Sequence, residues 1–404
     1  MLNNYKKLLR IGVDARFYGP VGKGLGRYVQ EVVDNVLLIN QDNGNEFEFV
    51  VFLGPDNFDQ FACSNPLVSK RKIALSWYSW REQLFFPFII KKEKIDLMHY
   101  PHFNVPIFCP VAFVVTIHDL ILTRFSSRRA SMLPASFYWL KQLAYRLIIK
   151  IAVKRARRII TVSKFTKDDI VKQLGVSAEK IVVTYEGVAN LSLNKTPAKR
   201  VSVIDTDILK KYDISKPYLL YVGNAYPHKN LIKFLEVFNN LRLQHPDFNI
   251  SLVMVGKDDY FYQRVKQTAK KLNLWHKGAA SSIVLFPGYV PDVDLEILYR
   301  RARLYVFPSL YEGFGLPPLE AMSQSCPVIS SNQASLPEIL GQAAAYFNPY
   351  DEKDMQIKLS ALINDPDKRR ELSLKGLEHI KVFDWYKCAL ETLGVYRQAL
   401  LNRK

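Results

Sequence analysis

Two carboxylates eight residues apart flank a pair of glycines in the string Phe307-Pro308-Ser309-Leu310-Tyr311-Glu312-Gly313-Phe314-Gly315-Leu316-Pro317-Pro318-Leu319-Glu320-Ala321-Met322. The string follows a β-rich run, Leu304–Phe307, and leads into a helical one near Pro317–Ser323. Gly313 and Gly315 let backbone N–H groups approach a ligand closely, while prolines are tolerated in a first helical turn. A helix starting near Pro317 adds unpaired N–H groups and positive dipole density at the same spot, which suits a diphosphate. Carboxylates beside an anion cradle are in conflict with it unless they face hydroxyls, such as those of a sugar or a ribose. Glu320 taken alone also fits an acid favoured at a helix N-terminus. Glu312 joined to Gly313-Phe314-Gly315 points more strongly to a ligand.

A second loop, Gly223-Asn224-Ala225-Tyr226-Pro227-His228-Lys229-Asn230, follows the run Tyr218–Val222. Lys229 can neutralise a diphosphate and stabilise it as it leaves. His228 is either a second cation, charged when a phosphate raises its pKa, or a loop residue without a partner. Val255-Gly256-Lys257 reads as a turn. In the first half, Gly19, Gly22, Gly24 and Gly26 follow the run Leu9–Asp14 and suit a loop that folds over a ligand, after which Arg27-Tyr28 opens a helix. Their spacing is not G-x-G-x-x-G and no acid ends the next run, Phe47–Leu53, so a dinucleotide fingerprint is weak. His118-Asp119 stands at the end of the run Ala112–Ile117. A lone His at a strand end more often serves structure, and Asp119 beside it leaves a functional reading open. Ser163 reads as a helix cap, and His99–Asn104 as a segment that could line a binding face.

The elements that must hold these loops alternate along the whole chain. Strand-like runs at 9–14, 47–53, 95–100, 112–117, 158–162 and 181–184 are interleaved with helical stretches near 27–40, 78–92, 135–157 and 164–174. A second series runs through 218–222, 250–255, 283–286, 304–307 and 328–330, with helices near 231–244, 260–272, 293–301 and 317–323. This alternation predicts α/β architecture, with two doubly wound, Rossmann-like domains on parallel sheets. The expected boundaries are 1–190 for the first domain, 191–216 for a polar linker with no sustained apolar period, and 217–382 for the second. Two such domains would place their ligand ends across a cleft.

At 404 residues the chain exceeds what one hydrophobic core usually supports. With 49% hydrophobic and 23% charged residues its composition is that of an ordinary folded protein. Apolar stretches such as Leu84–Ile90 fall short of the roughly 18–20 residues of a spanning helix, and the basic start lacks an apolar signal core. We therefore expect a cytoplasmic chain. Cys63, Cys109, Cys326 and Cys388 are scattered and the histidines form no ligand spacing, so neither a disulfide framework nor a protein-held metal is expected. The net charge of +18 is uneven: residues 1–200 carry 30 Lys and Arg against 16 Asp and Glu, whereas 201–404 carry 26 against 22. The stretch Leu120–Lys167 contains no acid, and its helical part combines Phe137, Trp139 and several leucines with many cations. That combination predicts either a helix buried along one face or contact with an anionic membrane surface, with Arg124, Arg128 and Arg129 among the cations.

The string around Glu312 and Glu320 resembles the retaining glycosyltransferases of family 4, which have the GT-B fold and whose hallmark is Glu, seven residues, Glu. The resemblance runs over nearly the whole chain and includes Phe383-Asp384-Trp385, where the family's last helix, here 383–404, turns back toward the first domain. It implies that Glu312 faces the transferred sugar, that Glu320 binds the donor ribose, and that the backbone from Gly313 through Phe314, Gly315 and Leu316 contacts sugar and phosphate. Lys229 matches the family's phosphate-binding lysine. Asn224 and His228 stand where the family carries an arginine, beside Gly223, and which of them replaces it is left open. Phe286–Val290 resembles the loop whose backbone, here near Tyr289 and Val290, contacts the nucleobase. Gly24, Gly26, Arg27 and Tyr28 match a string typical of mannosyltransferases, and His118 matches a histidine near the donor sugar.

What the resemblance implies is a hexosyltransferase working from GDP-mannose or a UDP-sugar onto a glycan or lipid-linked acceptor, in cell-surface polysaccharide or glycolipid synthesis. It would use neither an enzyme nucleophile nor a metal nor any other cofactor, with the departing phosphate helping to deprotonate the acceptor. The rival readings are a nucleotide-sugar epimerase of the same fold, which needs no acceptor, a non-catalytic sugar-binding protein, and a basic nucleic-acid-binding protein. No finger, homeodomain or RNA-recognition motif supports the last, so no nucleic-acid partner is expected.

Overall fold

Helix-length crossovers after each β-rich run let the chain build two sheets in which every pairing is parallel. The computed structural model describes residues 7–19, 23–125, 135–188, 198–245, 247–276, 278 and 282–401. Gly22, Arg128, Arg129 and positions 191–197 of the expected linker lie outside the described residues. The chain divides into two compact units, Met1–Gly187 with Phe383–Lys404, and Val188–Val382.

The first unit contains, in chain order, β1 (Leu9–Asp14), α1 (Lys23–Asp42), β2 (Phe47–Leu53), β3 (Val68–Lys72), α2 (Trp80–Lys92), β4 (Leu97–Tyr100), β5 (Ala112–Ile117), α3 (Ile121–Arg124), α4 (Ala135–Arg155), β6 (Arg158–Thr161), α5 (Lys164–Leu174) and β7 (Ile181–Val183). The second contains α6 (Ala198–Lys211), β8 (Tyr218–Val222), α7 (Leu231–Gln244), β9 (Ser251–Val255), α8 (Tyr260–Lys271), β10 (Val284–Gly288), α9 (Asp292–Arg301), β11 (Leu304–Phe307), α10 (Leu316–Ser323), β12 (Val328–Ser331), α11 (Leu336–Leu340), β13 (Ala344–Phe347), α12 (Glu352–Asn364) and α13 (Pro366–His379). The last helix, α14 (Trp385–Leu401), belongs to the first unit.

The first sheet has the order β3-β2-β1-β4-β5-β6-β7 and the second β10-β9-β8-β11-β12-β13. In the first unit Phe52, Met98, Tyr100 and Phe113 from one sheet face pack with Phe86 and Ile90 of α2 and Tyr145 and Ile149 of α4. Helix α14 packs on α1 and lies along β4, β5 and β6. Its entry depends on Gly187, where an added Cβ would stand 2.3 Å from the Trp385 backbone nitrogen.

The structure departs from the sequence expectation in several places, among them β13 and helices α11, α12 and α13, which fall in 331–382 where no element was expected. The segment 191–216 includes the 14-residue helix α6. Its docking is polar: buried Asp205 accepts hydrogen bonds from Arg300 (2.8 Å) and Arg301 (2.7 Å) of α9, while Lys211 and Tyr212 donate to Asp294. The apolar positions Val201, Ile204 and Ile208 do recur at helical spacing, so the polar composition of the segment concealed a short amphipathic helix. Strand β3, Val-Ser-Lys-Arg-Lys, escaped the pattern because this half-exposed edge strand is almost entirely polar and shows no apolar run or alternation. Helix α1 starts at Lys23, so Gly24 and Gly26 are helical rather than part of the loop. Gly26 is required there because the Gly19 carbonyl oxygen would stand 2.1 Å from an added Cβ.

His99 of β4 is fully buried and ties α14 to the sheet, with Nδ1 2.7 Å from the Tyr396 hydroxyl and Nε2 2.9 Å from Thr116 Oγ1. Burial, followed by the charge of His118, lowers its pKa to about 3. Between an ordinary value of 6.5 and that value only the unfolded chain takes up the proton, so this contribution to stability is complete above pH 6.5 and is lost on acidification. We expect His99→Gln to be less stable at neutral pH but to lose stability less steeply between pH 6.5 and 4, by about 1.4 kcal/mol per pH unit. Urea unfolding of both proteins across that range is the check, and equal slopes would show that His99 does not govern this loss.

Candidate functional site

In each sheet the strand order reverses once, between β8 and β11 in the second unit and between β1 and β4 in the first. Ligands of open α/β sheets bind where two crossovers leave toward opposite faces at such a reversal. The loop after β8 carries Lys229 and the loop after β11 carries Glu312, and the two side chains meet: Lys229 Nζ donates to Glu312 Oε1 at 2.5 Å. Both residues are only 8% exposed, so water does little to screen the pair. The ammonium also lies 5.2 Å from the centroid of the Phe307 ring. The loops are joined through their backbones as well, Leu310 N–H donating to the His228 carbonyl at 2.7 Å.

The glycine loop is held from beneath by Ser335, whose buried hydroxyl donates to the carbonyls of Glu312 (2.9 Å) and Phe314 (3.3 Å). Gly315 sits at φ +100°, and an added Cβ would press on Leu336 Cδ2 at 3.0 Å. Helix α10 starts at Leu316, one residue earlier than expected, and Pro317 and Pro318 occupy the next two positions without N–H groups. Anion donors must therefore come from the loop and Leu316, not from a full helical turn. On the helix, Glu320 accepts from the Tyr299 hydroxyl at 3.1 Å.

Gly223 adopts φ +150°, and its carbonyl accepts from the Tyr262 hydroxyl at 2.9 Å. Asn224 lies in the same turn, its backbone carbonyl accepting from the Tyr221 hydroxyl at 2.6 Å. The adjoining Gly256 has a packing role, since a Cβ there would stand 2.2 Å from the Gly223 oxygen. His228 is buried, and desolvation followed by the neighbouring Lys229 charge lowers its pKa to about 4. The imidazole is therefore neutral at pH 7 in the unliganded chain. At the end of β10 Gly288 turns at φ +79°, and just beyond it Tyr289 is exposed and Val290 is buried.

In the first unit His118 follows β5, with Nε2 2.9 Å from the Pro101 carbonyl and Nδ1 3.4 Å from Glu186 Oε1. Burial alone would lower its pKa, but the Glu186 carboxylate, the Pro101 carbonyl and Asp119 outweigh it and raise the value above the ordinary one. Tyr28 of α1 is buried with its ring edge-on to His118, centroids 4.5 Å apart, and its hydroxyl 3.3 Å from Thr116 Oγ1. Gly24, Gly26 and Arg27 lie with it in the opening turns of α1. Ser163 caps α5 by accepting from Thr166 N–H. Arg124 of the basic stretch is paired with Asp169. Among the described residues no cluster of three His, Cys, Asp or Glu side chains could hold a metal ion, and no helix is long and apolar enough to cross a membrane.

Sequence reasoning missed Ser335 and Glu186. The sole signal at Ser335 was a Ser-x-x-Glu helix start ending at Glu338, yet its hydroxyl serves the neighbouring loop instead of capping α11. Glu186 carried no local signal, because its partner His118 is 68 residues away.

Residues 205–379 match the family described as glycosyl transferases group 1, and residues 24–189 match that described as Glycosyltransferase Family 4. The chain is 32% identical over 360 residues to the O-antigen chain mannosyltransferase RfbU of Salmonella typhimurium, covering 86% of this chain and 90% of that protein. It is 33% identical over 251 residues to O-antigen chain mannosyltransferase B of Escherichia coli, a match spanning 60% of this chain and 61% of the relative. The crystal structure of WaaG, a glycosyltransferase involved in lipopolysaccharide biosynthesis, superposes with a TM-score of 0.69 at 15% identity, covering 96% of this chain and 99% of that one. Anabaena HepE in complex with UDP and glucose gives 0.69 at 15% identity, over 97% of this chain and all of that one. Likeness at these identities shows the fold.

Lys229→Ala removes a cation from the β8 loop and leaves the Glu312 carboxylate buried without its partner. It is expected to weaken binding of a nucleoside diphosphate at least about tenfold while weakening binding of the corresponding nucleoside far less, because only the phosphates lose an attraction. Calorimetric titration with the two ligands measures this, and equal losses would remove Lys229 from a phosphate site.

Proposed function

Because the chain belongs to the group 1 glycosyltransferases of the GT-B fold, we propose that it is a family 4 enzyme transferring mannose from GDP-mannose, with retention at the anomeric carbon. The proposed acceptor is a glycan or lipid-linked glycan of a cell-surface polysaccharide such as an O-antigen. The observation that carries the reading is the buried Lys229–Glu312 pair beside the Gly313–Leu316 loop at the β8/β11 reversal. The similarity to two O-antigen mannosyltransferases supports the choice of sugar over a UDP-linked one.

A donor offers both halves of that pair a new partner. Its diphosphate attracts Lys229 and the loop amides, and the hydroxyls of its sugar satisfy Glu312, so the ion pair is exchanged for contacts with the substrate. As the glycosidic bond breaks, negative charge grows on the leaving phosphate and Lys229 stabilises it there. That phosphate oxygen takes the acceptor proton on the face where the new bond forms. Glu320 holds the ribose, the backbone at Tyr289 and Val290 holds the base, and Gly223 and Asn224 shape the phosphate turn. His228 becomes a cation only if the bound phosphate raises its pKa. His118, kept charge-prone by Glu186, orients the sugar, and Gly24, Gly26, Arg27 and Tyr28 support it from α1. Lysine and amides supply the positive charge, so the reading requires no cofactor or metal.

Thermal stabilisation and hydrolysis across GDP-, UDP- and ADP-sugars test the donor, with GDP-mannose expected to give the largest effect. Turnover without an acceptor that merely interconverts nucleotide sugars would favour an epimerase. With the active donor, Glu312→Ala is expected to lower turnover at least about 100-fold, and near-normal turnover would remove its assigned role.

The same reading places the first unit at the cytoplasmic face of a membrane. On α2, Trp80, Leu84, Phe85 and Phe88 are exposed, and on α4, Trp139, Leu140, Leu143 and Leu147 are exposed. Both helices cover one face of the first sheet. Exposed Lys91 and Lys92 on α2, with Lys141, Arg146, Lys150 and Lys154 on α4, add positive charge to these apolar stripes. Aromatic and aliphatic side chains among cations match the headgroup region of an anionic leaflet, to which each cation contributes on the order of 1 kcal/mol. Salt-sensitive sedimentation with liposomes containing acidic lipid is expected, reduced when Lys141, Arg146, Lys150 and Lys154 are changed together to Ser. Equal sedimentation with neutral and acidic liposomes at low salt would leave a soluble acceptor as the better reading.

A further inference from the structure

Glu320 stands four residues after Leu316 on α10, so the two share one helix face. A helical side chain leans toward the N-terminus of its helix, which carries the half-buried Glu320 carboxylate toward the glycine loop. Its Oε2 accepts from the Tyr299 hydroxyl of α9, 3.1 Å away. We propose that Tyr299 is a positioning residue for the donor nucleoside: its hydroxyl fixes the rotation of the Glu320 carboxylate, which then meets the ribose hydroxyls in one orientation. The inference rests on the reading of Glu320 as the ribose acid, and adds to it a residue that itself touches no ligand.

Tyr299 is fully buried. Burial, followed by the Glu320 charge, pushes its hydroxyl well above the ordinary range, so it keeps its proton and donates. A buried tyrosine hydroxyl needs a partner, and a backbone carbonyl would meet that need. The other deeply buried tyrosines of this unit use one: Tyr218 donates to Leu298, Tyr221 to Asn224, Tyr262 to Gly223 and Tyr305 to Val222. Tyr299 holds instead the side chain of an acid that reaches out of the core.

The ring is fixed from two directions. Tyr305 of β11 lies against it with centroids 5.6 Å apart. Arg300 and Arg301, next in the chain, both donate to buried Asp205 of α6 and hold α9 against rotation. A carboxylate offers about four accepting positions, so one bond from Tyr299 restricts the group without filling it. A glutamate side chain loses rotamer freedom when a ligand fixes it, and a partner that imposes this loss beforehand strengthens binding. The gain reaches only ligands that carry the ribose hydroxyls.

Calorimetric titration of the full chain with GDP and UDP, then with the 2′-deoxy and 3′-deoxy counterparts of the tighter binder, tests this. The unaltered chain should prefer the ribonucleotide to at least one deoxy counterpart by about tenfold or more, and Glu320→Ala should abolish that preference. Tyr299→Phe keeps the ring and its packing, and should reduce the preference at least about threefold. Introduced into Glu320→Ala, the same substitution should have no further effect on it. Tyr305→Phe, equally buried but bonded to the β8 turn, should change the affinities for both nucleotides by a common factor. Each result is a ratio of two ligands on one protein, so a smaller folded fraction in a variant cancels. A full preference in Tyr299→Phe, where Glu320→Ala removes it, overturns the proposal and leaves the ribose reading standing. No preference in the unaltered chain, or one that survives Glu320→Ala, overturns both.

Discussion

Parallel pairing permits no tight turn between neighbouring strands, so successive strands of each sheet are joined by crossovers, and the carboxyl ends of the strands collect along one edge. At β8/β11 and at β1/β4 successive crossovers depart to opposite faces and leave that edge open. These reversals are where polar side chains from distant parts of the chain come together. Lys229 and Glu312, 83 residues apart, meet at the first. At the second, Arg16 and Asn104 converge on Glu82.

Both places hold charge away from water, which costs several kcal/mol per ion even after relaxation. Hydrophobic packing would hold such loops at lower cost, so the charges are better understood as capacity for exchange than as sources of stability. In the second unit a single ion pair leaves further lone pairs on Glu312 and further protons on Lys229 for a ligand. In the first unit the Asp14–Arg16–Glu82 group is saturated by its own members, Asn104 and the Tyr78 backbone, and it acts as a frame. His118 combines the two behaviours: acceptors face both ring nitrogens, which favours the charged form in a place where burial alone would oppose it.

The outer side of the first unit follows a different logic. Helices α2 and α4 each place one set of apolar residues in the core and leave another set exposed, as with Phe86 against Phe88 and Ile149 against Leu147. An ordinary amphipathic helix would present a polar outer face. Because this second apolar stripe is accompanied by cations, the helices carry hydrophobic side chains on two sides, and sequence periodicity blurs accordingly. This is why one basic, apolar stretch supported both a buried-helix and a surface reading.

The sequence alone determined the α/β class, the two series of strands apart from β3 and β13, and the loops at 223–230 and 308–316. These are local properties, set by β-rich runs, by glycines and prolines at fixed offsets, and by a highly specific string around Glu312. It also determined the family, through the same string. Tertiary structure decided which of these residues touch. Nothing local announced that Lys229 would pair with Glu312, that Ser335 would hold the glycine loop from beneath, or that Glu186 would face His118, because each partner is brought in by sheet order across dozens of residues. The same holds for Asp205, whose pairing with Arg300 and Arg301 docks a helix in a segment that reads as linker. Periodicity records which side of an element is apolar. It carries no record of polar contacts between elements, and those are what the parallel sheets and their two reversals supply.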